Sequence, residues 1–284
     1  MPKIDLHLHS TESDGIFSPE ERVRQAKRRR LALVALTDHD TLSGLPRFLR
    51  LARAANLNVT TGVEISTDFR GVGLHILAYG IPHRDRSLLA FFRAQSADRE
   101  RRAKKSVQLL QKIGFRITLT AIRKEAKGNI GKPHIAKAIL ADAANRRFLK
   151  QRFHFTGNWS ELIGSLFDRP GKRVYIPRMK AKTVDVIRLV RRSGGFPVLA
   201  HPLHDFASVQ KAAPAVRALA RAGLQGLEAV SPWNGPRTQT KLIRLAKECG
   251  LLVTAGTDNH ENTNPGINVP TDIYRELVKM LTLK

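Results

Sequence analysis

Short apolar runs alternate along the chain with stretches in which apolar positions recur at helical spacing. Runs that are apolar at most positions are typical of strands buried on both faces of a parallel sheet. Helical patterns follow most of these runs, and the alternation predicts βαβ units, closed into a barrel or arranged as an open sheet. The predicted strands are residues 3–9, 31–37, 58–65, 73–79, 197–201, 226–230 and 251–257.

One helix start is unusually clear in the sequence. Ser18 and Glu21 have the spacing of a capping box, and Pro19 stands at the first helical position. We expect this helix to run to about Arg30, where basic residues suit the negative end of the helix dipole.

The alternation breaks between about residues 86 and 182, where the pattern is mostly helical and rich in Lys and Arg. We interpret this region as a helical insertion that could serve as a lid or a substrate-selecting cap. The predicted fold class is α/β, with residues 1–85 and 183–284 forming the main α/β part and 86–182 forming the insertion. The 284 residues are enough for one barrel with an insertion.

The charge balance adds a possible partner. The chain has 49 Lys and Arg and 24 Asp and Glu, a net charge of +25. Such a charge attracts polyanions, including nucleic acids, although a solvated basic surface would have the same composition. The basic strip formed by residues 101–105 has the same two interpretations, and a solvated helix face is the simpler one.

The cysteine content and the length of the apolar runs indicate the cellular compartment of the protein. Cys249 is the only cysteine, so a disulfide within one chain is excluded, which fits a reducing compartment. The start, MPKIDLHLHS, lacks the regions of a signal peptide, and no apolar run is long enough to span a bilayer. We expect a cytoplasmic protein with no membrane partner; the sequence does not predict an oligomeric state.

Histidines and carboxylates stand at or near the ends of most predicted strands. Two of them, His7 and His9, are two residues apart and therefore face the same side of a strand. A lone strand histidine such as His75 is usually a core residue, but buried charges are costly unless they are paired or bound to a cation. Strand ends that converge would gather these groups into a polynuclear site suited to Zn, Mn or Fe. The candidate ligands are His7, His9, Asp14, His39, Glu64, His75, His201, Asp258 and His260.

Eight of these residues stand in the segments DLHLHS, SDG, TDHD, GVEIS, AHP and TDNH, in that order, and His75 lies between GVEIS and AHP. The order and content resemble the PHP (polymerase and histidinol phosphatase) family of metal-dependent phosphoesterases. The resemblance implies a distorted (β/α)7 TIM-like barrel and three divalent ions. The ligand sets that it implies are His7, His9, Glu64 and Asp258 for one ion, Glu64, His75 and His201 for a second, and Asp14, His39 and His260 for a third.

The metals suggest the chemistry. A hydroxide that bridges the ions, held by Glu64, Asp258 and His201, would attack phosphorus in line, because bound cations lower the pKa of water. Asp38 or Asp40 would orient a ligand histidine from behind, or would make a local turn or helix-cap bond.

The insertion contains GNIGKPHIAKAIL, which resembles a Gly-x-Arg-Pro-His-x-Ala segment of one PHP branch. That branch includes 3′,5′-nucleoside bisphosphate phosphatases and 5′–3′ exoribonucleases. Lys132, His134 and Arg178 are the candidates for binding a second phosphate; surface charge and a capped helix start are the alternative. Lys132 replaces the usual arginine and lacks its planar fork, and Arg178 stands where histidine is frequent.

The aromatic residues leave two choices. Phe153, Phe155 and Trp159 lie in the insertion, where they would form a small core or stack a base. Trp233 follows the sixth predicted strand, in a loop of the kind that selects substrates in barrel enzymes.

The expected function is therefore metal-dependent hydrolysis of a phosphate ester on a nucleotide or short oligonucleotide. The two main hypotheses are a 3′,5′-nucleoside bisphosphate phosphatase and a 5′–3′ exonuclease on short RNA or DNA. The alternatives are a histidinol-phosphate-type phosphatase and a non-catalytic nucleic-acid-binding PHP module. The complete set of expected ligands argues against the non-catalytic module.

Overall fold

The structure is a computed structural model that describes residues 1–167, 171–177 and 181–281. Its strands are β1 Lys3–Leu8, β2 Leu33–Leu36, β3 Val59–Thr60, β4 Gly62–Phe69, β5 Val72–Tyr79, β6 Ala181–Lys182, β7 Phe196–Leu199, β8 Gly226–Val230, β9 Leu252–Ala255 and β10 Ile267–Asn268. Its helices are α1 Pro19–Arg28, α2 Leu45–Ala54, α3 Arg86–Ile113, α4 Leu119–Glu125, α5 Lys132–Ala141, α6 Ala143–Phe153, α7 Trp159–Leu166, α8 Thr183–Arg192, α9 Pro202–Asp205, α10 Val209–Arg221, α11 Pro236–Glu248 and α12 Thr271–Leu281.

The described strands form two sheets, in the orders β10–β1–β2–β3 and β6–β4–β5–β7–β8–β9. The β1–β2, β2–β3, β7–β8 and β8–β9 pairs are parallel. Isolated parallel bridges from Leu8 to Asn259 and from His39 to Glu64 join the two sheets. The fold is thus mixed α/β with parallel sheets, as predicted, whereas a closed seven-stranded barrel is not seen among the described strands.

The direction of β5 differs from a simple parallel arrangement, because this strand is antiparallel to both β4 and β7. Arg70 and Gly71 connect β4 to β5 with φ angles of 54° and 88°. A two-residue turn with both φ angles positive matches the twist of a hairpin. The predicted strand at 58–65 is also divided at Thr61, so that β3 and β4 belong to different sheets.

The first helix begins as predicted. Ser18 Oγ accepts from the Glu21 backbone N–H at 3.3 Å, and a Glu21 side-chain oxygen accepts from the Ser18 N–H at 2.7 Å. This reciprocal bonding satisfies two donors that the helix start would otherwise leave open. Helix α1 ends at Arg28, two residues before the predicted end.

Two separate hydrophobic clusters support the molecule. The larger cluster lies between the strands and helices α1, α2, α8 and α10–α12, and it contains fully buried Leu6, Leu33 and Leu77. The smaller lies among helices α3–α7, around Leu110 and Ile139. Phe153, Phe155 and Trp159 pack against the smaller cluster, which favours their core interpretation over base stacking. Among the described helices, none is long and apolar enough to cross a membrane.

Candidate active site

Glu64 on β4 lies at the centre of the predicted cluster, with a fully buried side chain. Its Oε1 atom is 2.7 Å from His75 Nδ1 and 3.0 Å from His201 Nε2. Burial acts to raise the pKa of Glu64, but nearby imidazoles, with His39 the strongest, hold it well below its usual range. This side of the carboxylate therefore faces two nitrogen ligands from β5 and from the end of β7.

The other oxygen of Glu64 faces a different set of ligands. Its Oε2 atom is 3.2 Å from the Nε2 atoms of both His7 and His9. Asp258 Oδ1 is 3.4 Å from the first of these nitrogens and 3.2 Å from the second. Tetrahedral ligands about 2.1 Å from an ion are about 3.4 Å apart, so these separations suit one divalent cation.

A third set of candidate ligands lies mostly on loops. Asp14 follows β1, His39 follows β2 and His260 follows β9. Asp14 Oδ1 lies 3.2 Å from His260 Nε2 and 3.9 Å from His9 Nδ1, and Asp14 Oδ2 lies 3.8 Å from His39 Nε2. Ligand atoms from Asp14, His39, His260 and His9 all lie within 4.8 Å of one another, which a cation can bridge.

The buried polar atoms of the cluster show why it suits cations. Many of them have no hydrogen-bond partner within the described chain, and each such atom costs about 1–3 kcal/mol if nothing else satisfies it. The combination of imidazole and carboxylate is typical of Zn, Mn or Fe sites. The atoms are His7 Nε2, His9 Nδ1 and Nε2, Asp14 Oδ1, His39 Nδ1, Glu64 Oε2, His75 Nδ1, His201 Nδ1 and Asp258 Oδ1.

The cluster opens into a cavity of about 480 Å³. Asp14, His39 and His75 form part of one wall, and residues of the helical region 86–182 form the facing wall. Arg99 and Lys132 bring cationic side chains to this second wall. Ligand sites commonly have volumes of about 300–1,000 Å³, so the cavity is large enough for a nucleotide-sized molecule.

The family model of the PHP domain matches residues 5–192 of this chain. The chain belongs to the PHP domain family. A 5′–3′ exoribonuclease from Haemophilus influenzae is 29% identical to it over 261 residues, which are 91% of this chain and 90% of the relative. A 3′,5′-nucleoside bisphosphate phosphatase from Chromobacterium violaceum is 27% identical over 271 residues, which are 95% of this chain and 91% of that protein.

A solved structure extends the likeness to the whole fold. A protein from Bifidobacterium adolescentis, described as a metal-dependent phosphoesterase, superposes with a TM-score of 0.81 and 28% identity. The match covers 99% of this chain and 96% of the other. Together with the family match, it makes this PHP protein an enzyme, a hydrolase of phosphoric esters.

Two carboxylates that the sequence analysis missed hold candidate ligand histidines in place. Glu228 is 1% exposed on β8; its Oε1 accepts from His7 Nδ1 at 3.0 Å and its Oε2 from the His201 backbone N–H at 2.8 Å. Asp5 accepts from the backbone N–H groups of His7 at 3.2 Å and Thr257 at 3.0 Å. Each is a carboxylate within a mostly buried strand, which was the available signal.

A buried arginine was also missed. Arg22 of α1 is fully buried and donates to the backbone carbonyls of His9 at 2.8 Å and Asn259 at 2.6 Å. Burial lowers its pKa to about 10. The guanidinium therefore joins the end of β1 to the loop after β9, the two segments that carry His9 and His260.

Asp38 and Asp40 hold loops rather than ligand histidines. Asp38 accepts from the Ser10 N–H at 2.7 Å and from Ser13 Oγ at 2.6 Å, within the loop that leads to Asp14. Asp40 accepts from the Ser66 N–H at 2.8 Å. In the described residues neither carboxylate hydrogen-bonds a candidate ligand imidazole. Their partners lie 25–28 residues away in sequence, so these bonds are not the local turn or helix-cap bonds that were the alternative.

The three residues predicted to bind substrate have different positions. Lys132 lines the cavity at the start of α5. His134 is buried; its Nδ1 accepts from the Gly131 N–H at 3.0 Å, and burial lowers its pKa. Arg178 lies outside the described residues. Arg99, which the sequence analysis did not select, lines the cavity with a buried Nε that has no hydrogen-bond partner in the described chain.

Proposed function

We propose that this PHP-family phosphoesterase hydrolyses a phosphate ester of a nucleotide that carries a second anionic group. The observation that carries the proposal is the cavity, which has a cluster suited to cations on one wall and Arg99, Arg102 and Lys132 on the other. A 3′,5′-nucleoside bisphosphate and the 5′-phosphorylated end of a short RNA or DNA both have two phosphates close together. The names of the two relatives agree with these substrates.

We propose the ligand sets that the resemblance implies, for as many as three Mn, Zn or Fe ions. When bound, the ions lower the pKa of water and offset charge that develops on the phosphoryl oxygens. Glu64 would contribute to two sets, because its oxygens face different imidazoles. Asp258 and His201 are the other residues that we propose to hold the attacking water. The sets are His7, His9, Glu64 and Asp258; Glu64, His75 and His201; and Asp14, His39 and His260.

The role proposed for the facing wall is to bind the second phosphate. Arg99 and Lys132 would orient the nucleotide so that only one ester reaches the cluster; Arg178 remains a candidate for the same task. A positive charge fixed in a half-enclosed cavity attracts a phosphate more strongly than the same charge in bulk water. The wider region has the same sign, since residues 86–182 carry 24 Lys and Arg and 6 Asp and Glu, a net +18 of the total +25.

We infer that the two bridged sheets are parts of one distorted (β/α)7 barrel. The proposed domains are then residues 1–85 and 183–284 for the catalytic barrel and 86–182 for the insertion that covers it. The separate hydrophobic cluster among α3–α7 supports this division.

The test is an assay of Mn-reconstituted protein on adenosine 3′,5′-bisphosphate and on a short 5′-phosphorylated RNA, with His9→Ala as the control for contaminating enzymes. Phosphate release from the bisphosphate alone would indicate a small-molecule phosphatase. Stepwise release of mononucleotides from the RNA would indicate an exonuclease. Histidinol phosphate is the comparison substrate with a single phosphate; its turnover without turnover of either nucleotide would overturn the proposal.

A further inference from the structure

The insertion touches the loops that carry Asp14 and His39. Gly128, between α4 and α5, packs directly against Glu12 in the loop after β1. A Cβ atom at position 128 would lie 2.0 Å from the Glu12 backbone oxygen, and real Cβ atoms do not approach backbone that closely. The next residue, Asn129, donates its backbone N–H to the same oxygen at 3.2 Å. The contact therefore requires glycine and fixes this loop two residues before Asp14.

The Asn129 side chain reaches the second loop. Its Nδ2 lies 3.2 Å from the Asp40 backbone oxygen and 3.4 Å from that of His39, and it donates to both. Its Oδ1 accepts from Ser96 Oγ on α3 at 2.9 Å. One side chain thus joins helix α3 to both His39 and Asp40 in the loop after β2.

An ion pair strengthens the same junction. Arg99 of α3 pairs with Asp40, and their side chains are only 14% and 2% exposed. Asp40 has φ of 51°, a strained value for a residue other than glycine, which persists where surrounding contacts enforce it. The contacts on this residue therefore bear directly on the placement of His39, its neighbour in sequence.

We propose that Arg99, Gly128 and Asn129 of the insertion are positioning residues that assemble the third metal position from Asp14 and His39. This proposal rests on the proposed function only in that the cluster binds divalent ions. His7, which contributes to the Glu64 set, has separate support, because Glu228 and Asp5 lie in strands and accept hydrogen bonds from it. The insertion is then a fixed part of the metal centre, and not only a cover over the cavity.

The experiment counts tightly bound Mn per chain in the full-length protein, by elemental mass spectrometry after dialysis. Asn129→Ala and Arg99→Met should each weaken binding of one ion by about 10–100-fold, the usual cost of losing an outer partner of a metal ligand. The variants should therefore retain one ion fewer than the unaltered chain, with the others kept. Arg99→Lys, which preserves the charge facing Asp40, should restore much of the lost occupancy.

The matched control is Arg123→Met, which removes an exposed pair between α4 and Glu100 of α3 and should leave the metal content unchanged. Circular dichroism and the Tm establish that each variant is folded; if Arg99→Met does not fold, Asn129→Ala decides, because it removes only an amide. Full metal content in folded Asn129→Ala would overturn the proposal, as would loss of every ion from it. If the unaltered chain binds the ions but releases nothing from either nucleotide, only the proposed function fails.

Discussion

The two halves of the site are held in different ways. Around Glu64, ligand atoms of His7, His9 and Asp258 are separated by 3.2–3.4 Å, and two of these four residues lie within strands. Around Asp14 the separations extend from 3.2 to 3.9 Å, and most ligands come from loops. The difference indicates that strands hold part of the first half directly, whereas the His39 loop of the second half is contacted by Arg99 and Asn129, which lie 59 to 90 residues from their partners in sequence.

The largest effect is expected at Glu64, whose two oxygens face different sets of imidazoles. Glu64→Gln keeps the size of the side chain but removes its charge. We expect kcat to fall by more than about 10³-fold, beyond the 10–100-fold that loss of an outer partner costs, and the metal content to fall by more than one ion. Metal analysis alongside phosphate release checks this; loss of a single ion would show that the carboxylate does not serve two positions.

A smaller loss is expected at Asp14, which belongs to one set only. Asp14→Asn should lower kcat by about 10²-fold, comparable to the removal of one electrostatic contact to a transition state, and should release one ion. Steady-state kinetics at increasing Mn concentrations measures this loss of kcat. Because this half is held by loops, excess Mn should restore part of the activity. If Asp14→Asn and Glu64→Gln lowered kcat equally, the two halves of the site would not differ as described.

Replacing Glu228 tests whether this carboxylate supports the half of the site around Glu64. Glu228→Gln replaces a carboxylate that accepts from His7 Nδ1, so metal affinity should fall by about 10–100-fold. A Mn titration monitored by activity gives the apparent affinity. Glu248→Gln is the control, since Glu248 pairs with Arg217 and Arg244 on the surface and should bind metal like the unaltered chain. An unchanged affinity in Glu228→Gln would mean that the strand alone orients His7.

The smallest effect is expected at Lys132, because we propose that it binds the substrate and not the metals. Lys132→Met should raise KM for adenosine 3′,5′-bisphosphate by roughly tenfold, near the lower end for a hydrogen bond to a charged group, with kcat little changed. A substrate with a single phosphate should show no such rise. A fall in kcat with KM unchanged would place this lysine in the chemistry rather than in binding.

The candidate ligands could be selected from the sequence because imidazoles and carboxylates are conspicuous at the ends of apolar runs. The direction of β5 could not be predicted, since a run buried on both faces has the same pattern in parallel and antiparallel sheets. The turn at Arg70 and Gly71 was the overlooked signal for the hairpin.

The supporting residues were harder to find for a different reason. Glu228 is 221 residues from His7, and Arg99 is 59 residues from Asp40. A charged residue in a strand or helix does not reveal a partner so distant in the chain, and periodicity reports only which face is buried. The clear helix start at Ser18 is the opposite case, because its hydrogen bonds lie within four residues.

The close packing of Gly128 on Glu12 bears on how substrate preference can be changed in such proteins. A chimera that exchanges the region 86–182 between relatives would appear to alter only the cavity. It would also replace the surface that the metal-bearing loops rest on. Transplants of this region should therefore succeed when the loop after β1 is exchanged with it, so that both sides of the junction come from one parent.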